Sequence, residues 1–427
     1  MSETRPLGIR ADARYRVVEE GRMVEALLLY GFATELRRGG RQAAQRASAA
    51  ALDHWVELGL PYATGKGCRR FDPVEVLNFL KWAGLRGVDP FWEERFITTG
   101  RGLTLGFHPG AAPDGAPPPG DLGPLGFSVT LQREFTLPEG AAGRSVLLRL
   151  PLPLEDAALR DLKVTPLAPP DLDARFTVAP GRLDARLVAA QSRSLVLGVE
   201  ISFTAHPAGS AKSSGSLASP EVELYTRSSE GIVQVSPRIR SLASELAGEE
   251  RDRWRVVRRF WDFILGTLTC GGIHYDQLDA ARPTDWPLES GWYDCHLGSA
   301  LLVALCRARR IPARIVSGYL IYAPSASYHY WAEVWIDDRG WAPFDLLSSD
   351  LSARGRDPSW RYYFAGALDY RMKTQCLPRL FNLAPSIRFP PVWYALARAG
   401  GEGTELATFA TDTGALVYRE RIRVRHG

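Results

Sequence analysis

Apolar residues in the first hundred positions follow a helical spacing. Between residues 14 and 99 they recur every three or four positions, the period of one helix face. One helix start is explicit, because Asp72-Pro73-Val74-Glu75 combines an N-cap, a proline in the first turn and a glutamate three residues beyond the cap. The pattern predicts an N-terminal helical region over residues 1–107, with helices near 23–32, 42–58 and 73–82.

The apolar period then changes from helical to alternating. Residues 108–126 are rich in proline and glycine and predict a linker. Beyond it, Phe127, Val129 and Leu131 share one parity with mostly polar residues between them, and residues 195–203 repeat the pattern. Such alternation is typical of half-buried strands, so we predict a small antiparallel β domain over residues 127–207.

The second half of the chain mixes both periods. Apolar spacing predicts a helix over residues 251–268 that leads into a core helix over residues 297–305. Runs of β-branched and aromatic residues then predict three consecutive strands, at 314–322, 329–336 and 341–345. These elements predict an α+β domain over residues 220–400. Alternation around Asp412-Thr413-Gly414 adds a C-terminal β-hairpin over residues 401–427.

Composition describes an ordinary globular chain and excludes several partners. The 427 residues are 45% hydrophobic and 23% charged, and 52 basic against 48 acidic side chains leave a net charge of +4. Because no basic run could follow a phosphate backbone, we expect no nucleic-acid partner. No stretch approaches the ~20 apolar residues of a membrane helix, and the first residues lack the apolar core of a signal peptide. We therefore expect no membrane partner and a cytoplasmic location.

Neither the cysteines nor the glycine–lysine loop indicates a metal or a cofactor. Five cysteines in so long a chain do not make a disulfide framework, and no pair has the C-x-x-C spacing of a zinc site. Gly65-Lys66-Gly67 lacks the first glycine and the Ser/Thr of a phosphate-binding loop. Cys68 has no catalytic companion in its loop. Three cysteines are predicted to be small core residues: Cys270, Cys306 and Cys376.

The remaining cysteine opens the predicted core helix. Cys295 lies in the first turn, where unpaired backbone N–H groups and the positive end of the helix dipole favour a thiolate. His329 starts the second of the three strands, and Asp345 ends the third. A helix start, a strand start and the end of the paired strand can meet in space, as a Cys-His-Asp relay requires. Each residue alone is more often structural; together and in this order they predict a catalytic site.

The sequence around these residues resembles the transglutaminase-like superfamily, whose core is a papain-like α+β fold. The matching segments, in chain order, are Cys295; Arg310-Ile311-Pro312-Ala313-Arg314 with Gly318-Tyr319; His329 with Trp331 and Glu333; and Gly340-Trp341 with Asp345. Four ordered matches are far more specific than a lone Cys/His pair. The resemblance implies Cys295 as nucleophile, His329 as base and later acid, and Asp345 as the group that orients the imidazole. One departure is His296, where many relatives carry an aromatic or aliphatic residue.

The resemblance also implies a reaction. The thiolate would attack an amide or peptide carbonyl, form a thioester on Cys295, and pass the acyl group to water or to an amine. The expected substrate is a peptide or amide, including one carried on a protein. Two other functions stay open: a non-catalytic scaffold of the same fold that binds a peptide, and a tailoring enzyme that forms amide bonds on a carrier-bound acyl group. The sequence does not indicate an oligomeric state.

Several neighbouring residues have open assignments. The backbone N–H of Cys295 is expected to be one oxyanion donor, and the second is one of four tryptophans: Trp254, Trp261, Trp286 and Trp292. His296 and His274 rank below His329 as the base. Arg314 is expected to support structure by pairing with Glu333 or Asp345.

Overall fold

Three hydrophobic cores organise the chain, one in the N-terminal helical region, one in a β domain and one in the α+β core domain. The computed structural model describes residues 17–97, 117–120, 122–137, 139–192, 194–209, 215–275, 278–279, 281–323, 326–353, 357–376, 380–381, 384–385, 395–400, 403–408 and 417–427. Most of the predicted linker and the turn at Asp412-Thr413-Gly414 lie outside these residues.

The N-terminal region contains the three predicted helices. Its elements are β1 (Val18–Glu19), α1 (Glu20–Gly31), α2 (Ala33–Glu57), β2 (Ala63–Gly65), β3 (Cys68–Phe71), α3 (Pro73–Leu85) and a π-helical turn (Trp92–Ile97). Asp72 caps α3 by accepting the N–H of Val74 at 3.0 Å, as its sequence predicts. The small sheet of β1, β3 and β2 was not expected, because its strands are only two to four residues long.

The β domain follows as two antiparallel sheets. Its strands are β4 (Leu125–Thr136), β5 (Ser145–Pro151), β6 (Leu159–Leu167), β7 (Ala174–Ala179), β8 (Arg182–Val188) and β9 (Ser194–Ala205). The alternating residues behave as predicted, since Phe127, Val129 and Leu131 are buried opposite Phe203, Ile201 and Val199 of β9. Strands β5, β8 and β7 form the smaller sheet.

The α+β core domain combines a four-stranded sheet with helices. Its helices are α4 (Ser219–Tyr225), α5 (Pro237–Ala247), α6 (Arg253–Thr267), α7 (Trp286–Ser290), α8 (Cys295–Ala308), α9 (Leu346–Ala353) and α10 (Pro358–Tyr363), with a 3₁₀ turn at Pro283–Asp285. Its strands are β10 (Ala208–Gly209), β11 (Ser229–Glu230), β12 (Val233–Gln234), β13 (Thr269–Cys270), β14 (Trp292–Tyr293), β15 (Ala313–Leu320), β16 (Ser327–Ile336), β17 (Gly340–Phe344), β18 (Ala367–Leu368) and β19 (Arg371–Cys376). The sheet order β17-β16-β15-β19 is antiparallel throughout. Helix α8 is buried along most of its length in the domain core.

The C-terminal strands return to the β domain. They are β20 (Leu380–Phe381), β21 (Ala384–Pro385), β22 (Ala395–Gly400), β23 (Gly403–Thr408) and β24 (Val417–His426). Strands β23 and β24 pair as an antiparallel hairpin, and β24 also pairs with β4 from Val417 opposite Thr136 to His426 opposite Phe127. The terminal segment therefore extends the larger sheet, in the order β22-β23-β24-β4-β9-β6. Within the described residues, no helix has the length and apolar character needed to cross a membrane.

Candidate active site

Helix α8 begins at Cys295, as the sequence predicts. The carboxylate of Asp294 caps it by accepting the N–H groups of His296 at 3.1 Å and Leu297 at 2.8 Å. A glycine fixes the approach of the preceding strand, because a Cβ on Gly298 would lie 2.4 Å from the ring of Tyr293. The cap and this close packing hold Cys295 at the helix N-terminus.

The antiparallel sheet brings His329 and Asp345 together. His329 lies in β16 opposite Gly318 of β15, and Asp345 follows the last residue of β17. The imidazole Nε2 is 2.8 Å from Asp345 Oδ2, and the two side chains are 1% and 0% exposed. Because Asp345 occupies Nε2, Nδ1 is the ring nitrogen left for a proton exchange with another group.

Asp345 has further partners beyond the histidine. Ser348 donates its backbone N–H to Oδ1 at 3.0 Å and its hydroxyl to Oδ2 at 2.7 Å. The guanidinium of Arg371 donates from Nη2 to Oδ2 at 3.3 Å. Burial alone would raise the pKa of Asp345, but the charges and hydrogen bonds of His329 and Arg371 hold that pKa well below its usual value. The carboxylate is therefore ionised at neutral pH.

The expected thiolate at Cys295 is wrong for the resting protein. Burial raises the pKa of the Cys295 thiol well above its usual value, and the charge of Asp294 adds to the rise, although the backbone N–H groups of Tyr330 and His296 oppose it. Among the described residues, no hydrogen bond joins the Cys295 sulfur to His329. Burial outweighs the helix dipole and favours the thiol form of Cys295.

His296 is enclosed in aromatic surroundings beside Cys295. Its ring stacks on Tyr330 with centroids 4.1 Å apart, and its Nδ1 is 3.5 Å from the hydroxyl of Tyr275. That hydroxyl donates to the carboxylate of Asp294, at 2.8 Å to Oδ2. Burial lowers the pKa of His296 to about 3, so this residue is neutral and cannot replace His329 as a base near neutral pH.

His274, the other tempting base, is tied to the helical region. Its Nε2 lies 2.7 Å from the carboxylate of Glu75 on α3, and its side chain is buried. A histidine engaged in this way joins two parts of the fold, so the lower rank given to His274 agrees with its position.

Arg314 forms one of the two predicted pairs. Its guanidinium contacts Glu333 through Nε at 2.9 Å and Nη2 at 2.6 Å, and it lies 3.9 Å above the ring of Trp341. Lys373 also donates to Glu333, at 3.1 Å. Arg314 is therefore a structural residue of the sheet, as expected.

The structure distinguishes the four tryptophans that were considered as the second oxyanion donor. Trp261 donates its indole N–H to the carbonyl of Arg361 at 3.2 Å, and Trp292 is fully buried. Trp254 packs on Phe344 at 5.6 Å. Trp286 is half-buried, and among the described residues its indole ring makes neither a hydrogen bond nor a ring contact of this kind.

Sequence reasoning did not identify three residues at this site. Ser348 has a local signal, because an aspartate that precedes a helix accepts the backbone N–H of the residue two or three positions further on. Arg371 and Tyr275 have none, since each reaches the site from a segment 19 or more residues away in the chain.

A family model matches the core domain of the chain. Residues 240–346 match the family model of the transglutaminase-like superfamily. This segment spans α8, β15, β16 and β17 together with Cys295, His329 and Asp345. Residues 240–346 therefore form a transglutaminase-like core, which confirms the resemblance found in the sequence. No match is found among curated proteins.

Solved structures align with the chain at low identity. A candidate cysteine protease from Cytophaga hutchinsonii aligns with a TM-score of 0.43 and 15% identity, over 71% of this chain and 98% of its own. The periplasmic domain of TgpA from Pseudomonas aeruginosa aligns with a TM-score of 0.33 and 17% identity, over 56% and 92%. A candidate protease from Parabacteroides distasonis aligns with a TM-score of 0.23 and 11% identity, over 65% of each chain. At these TM-scores the alignments carry no argument about function.

Proposed function

We propose that the protein is a cysteine-nucleophile enzyme that acts on an amide or peptide carbonyl. Cys295 is the nucleophile, His329 its base and later acid, and Asp345 the carboxylate that orients the imidazole. The observation that carries the proposal is the 2.8 Å contact between His329 Nε2 and Asp345 Oδ2, both buried beside a capped helix that begins with cysteine. A relay of this kind needs an oriented imidazole and an ionised carboxylate.

The geometry supports a stepwise reaction that starts from the thiol of Cys295. Cys295 first transfers its thiol proton to Nδ1 of His329, since Nε2 is held by Asp345. The sulfur then attacks the carbonyl carbon, and the C–N bond breaks as Nδ1–H returns the proton to the leaving amine. The product is a thioester on Cys295. Water or a second amine then displaces the sulfur, with His329 again taking the proton.

Asp345 makes the first step feasible despite the raised pKa of the thiol. The imidazolium that forms is next to an ionised carboxylate, in an interior that strengthens their attraction. The thiolate that forms accepts the backbone N–H groups of Tyr330 and His296. The charge pair is thus stabilised when it appears in the reaction and is not needed in the resting protein.

A non-catalytic binding scaffold is the second candidate. Two observations favour it: the pKa of the half-buried Cys295 thiol is raised, and the described residues show no hydrogen bond from His329 to that thiol. The peptide or amide substrate and the cytoplasmic location remain predictions.

An acylation experiment separates the two candidates without knowledge of the substrate. The protein is treated with p-nitrophenyl acetate, and acetylated cysteines are located by peptide mass spectrometry. We expect Cys295 to be acetylated much faster than Cys68, which is also half-buried and serves as the reference for exposure. Asp345→Asn should remove this preference. Acetylation of Cys295 no faster than that of Cys68, and unaffected by Asp345→Asn, would favour the scaffold.

A further inference from the structure

A buried charged cluster continues from Asp345 to the far strand of the sheet. Arg371 opens β19, and 4% of its side-chain surface is exposed. Its Nη2 donates to Asp345 Oδ2 at 3.3 Å and to the Ser348 hydroxyl at 3.1 Å. Its Nη1 donates to Asp369 and to the Tyr322 hydroxyl, the latter at 3.0 Å. The guanidinium therefore bridges two carboxylates.

Two buried carboxylates contact one guanidinium in this cluster. Asp345 and Asp369 are both buried, and Arg371 forms an ion pair with each of them. A buried charge is unfavourable unless a counter-charge compensates it. The imidazolium of His329, which is the species that the proposed reaction forms, places a second positive charge next to Asp345.

Arg371 acts on the oxygen that holds the histidine. Its Nη2 and the imidazole Nε2 share Oδ2 of Asp345, so any change at the guanidinium alters the acceptor of the histidine proton. Asp369 in turn draws the guanidinium away from Asp345 through Nη1. By contrast, Arg314 on the same sheet has its own acceptor, Glu333.

We propose that Arg371 and Asp369 are positioning residues for the histidine base, with opposite effects on its basicity. Arg371 weakens the pull of Asp345 on the imidazolium, and Asp369 restores it by neutralising Arg371. The proposal rests on the proposed function, because it assigns a role to the proton uptake of His329. Among the described residues, the other titratable groups that face this cluster include Tyr322, Tyr363, Tyr370, Tyr293 and, on α8, Cys295.

Titration of His329 by NMR of histidine labelled with nitrogen-15 tests the proposal. The protein has seven histidines, and the His329 signals are assigned by their loss in His329→Gln. Arg371→Met leaves two carboxylates unopposed, so the His329 pKa should rise by about one unit or more. Asp369→Asn frees the guanidinium for Asp345, so the pKa should fall by a similar amount. Arg314→Met, which removes a guanidinium outside the cluster, should leave it unchanged.

Opposite shifts in the two variants are the result that a merely structural role does not produce. An unchanged titration in both variants, or shifts of the same sign, would overturn the proposal. If Arg371→Met does not fold, Asp369→Asn decides by the sign of its shift, since it keeps the guanidinium. The titration does not depend on Cys295 chemistry. Opposite shifts without acetylation of Cys295 would therefore sustain this inference and reject the proposed enzyme.

Discussion

The transglutaminase-like core is flanked by two regions that attach to it in different ways. The β domain shares a hydrophobic core with it, because residues 319–322 at the end of β15 pack among the β-domain side chains together with Tyr370 and Met372. Polar contacts accompany this packing, among them the hydrogen bonds from the Tyr319 hydroxyl to both carboxylate oxygens of Glu420 at 3.0 Å and from the Leu154 N–H to the Lys373 carbonyl at 2.7 Å. Arg133 also pairs with Glu420, at 2.7 Å.

The helical region keeps a core of its own and attaches through polar groups. Four buried polar side chains lie three residues apart on α3 and its cap: Asp72, Glu75, Asn78 and Lys81. Glu75 contacts His274, and the Asn78 amide exchanges two hydrogen bonds with the backbone of Gly272, at 2.7 and 3.2 Å. Lys81 pairs with Asp350 on α9. The attachment is therefore directional.

The polar contacts of the helical region reach two segments that flank the candidate site, residues 271–275 and α9. Residues 271–275 carry Tyr275, which donates to Asp294, the cap of α8. Helix α9 carries Ser348, which donates to Asp345. Since hydrogen bonds fix orientation more strictly than apolar packing, contacts of α3 should influence the chemistry of Cys295, whereas β-domain contacts should influence stability alone.

The largest effect on the acetylation of Cys295 is expected from a substitution in the candidate site itself. Its size is the reference for the effects of substitutions in the two flanking regions. Asp345→Asn keeps the packing but removes the charge, and can hold the imidazole in the wrong tautomer. We expect the acetylation rate of Cys295 by p-nitrophenyl acetate to fall on the order of 10³–10⁴-fold. Cys295→Ala is the control for background acetylation. An unchanged rate in the folded variant would mean that Asp345 only terminates its strand.

The next effect tests the ionic contact between the helical region and α9. Lys81→Met leaves Asp350 buried without its cation, which should cost about 3–5 kcal/mol of unfolding free energy in denaturant titrations at pH 8. Burial already raises the pKa of Asp350, with Lys81 opposing the rise, so the loss should shrink at lower pH as the carboxyl becomes protonated.

The double variant Lys81→Met, Asp350→Leu provides the control for this prediction. It removes both charges and should recover most of the stability. A single variant as stable as the wild type would show that this pair does not attach the helical region.

Two glutamates, one at the contact with the helical region and one at the contact with the β domain, allow the two attachments to be compared directly. Glu75→Gln and Glu420→Gln each weaken charge-assisted hydrogen bonds of about 1.5–3 kcal/mol. We expect both to lower the melting temperature, but only Glu75→Gln to slow the acetylation of Cys295, because His274 adjoins Tyr275. Equal rates in the two variants would contradict the role given to the helical region.

The elements of the candidate site could be predicted because their signals are local. Asp294 and Cys295 mark a helix start within adjacent residues, and the strands of His329 and Asp345 are joined by a short turn. Their order along the chain is enough to indicate that they meet.

The remaining features depend on contacts distant in sequence. Arg371 reaches Asp345 from 26 residues away on another strand, and β24 pairs with β4 across more than half of the chain. The raised pKa of Cys295 follows from burial, which a helix-start signal does not report. The buried polar residues of α3 and its cap are regularly spaced in the sequence, but their partners, Gly272 and His274, lie far along the chain.

The smallest effect is a pH dependence of stability due to His296, which lies on the side of the candidate site that contacts the helical region. Burial lowers its pKa from 6.5 to about 3, so the unfolded chain binds one more proton than the folded chain between these values. The stability due to neutral His296 is therefore fully present above pH 6.5 and is lost as pH falls, by about 1.4 kcal/mol for each pH unit.

His296→Phe should remove this acid sensitivity while keeping an aromatic ring against Tyr330. Denaturant titrations at roughly pH 7.5, 6.5 and 5.5 measure this sensitivity as the difference in unfolding free energy between wild type and variant. The matched control is His54→Phe, since His54 is largely exposed on α2 and far from this ring stack. Because the phenyl ring has no ring nitrogen to protonate, the variant should gain on the wild type as pH falls. Parallel stabilities at the three pH values would mean that His296 is charged in the folded protein, in which case the Asp294 carboxylate and the Tyr275 hydroxyl would have to be its partners.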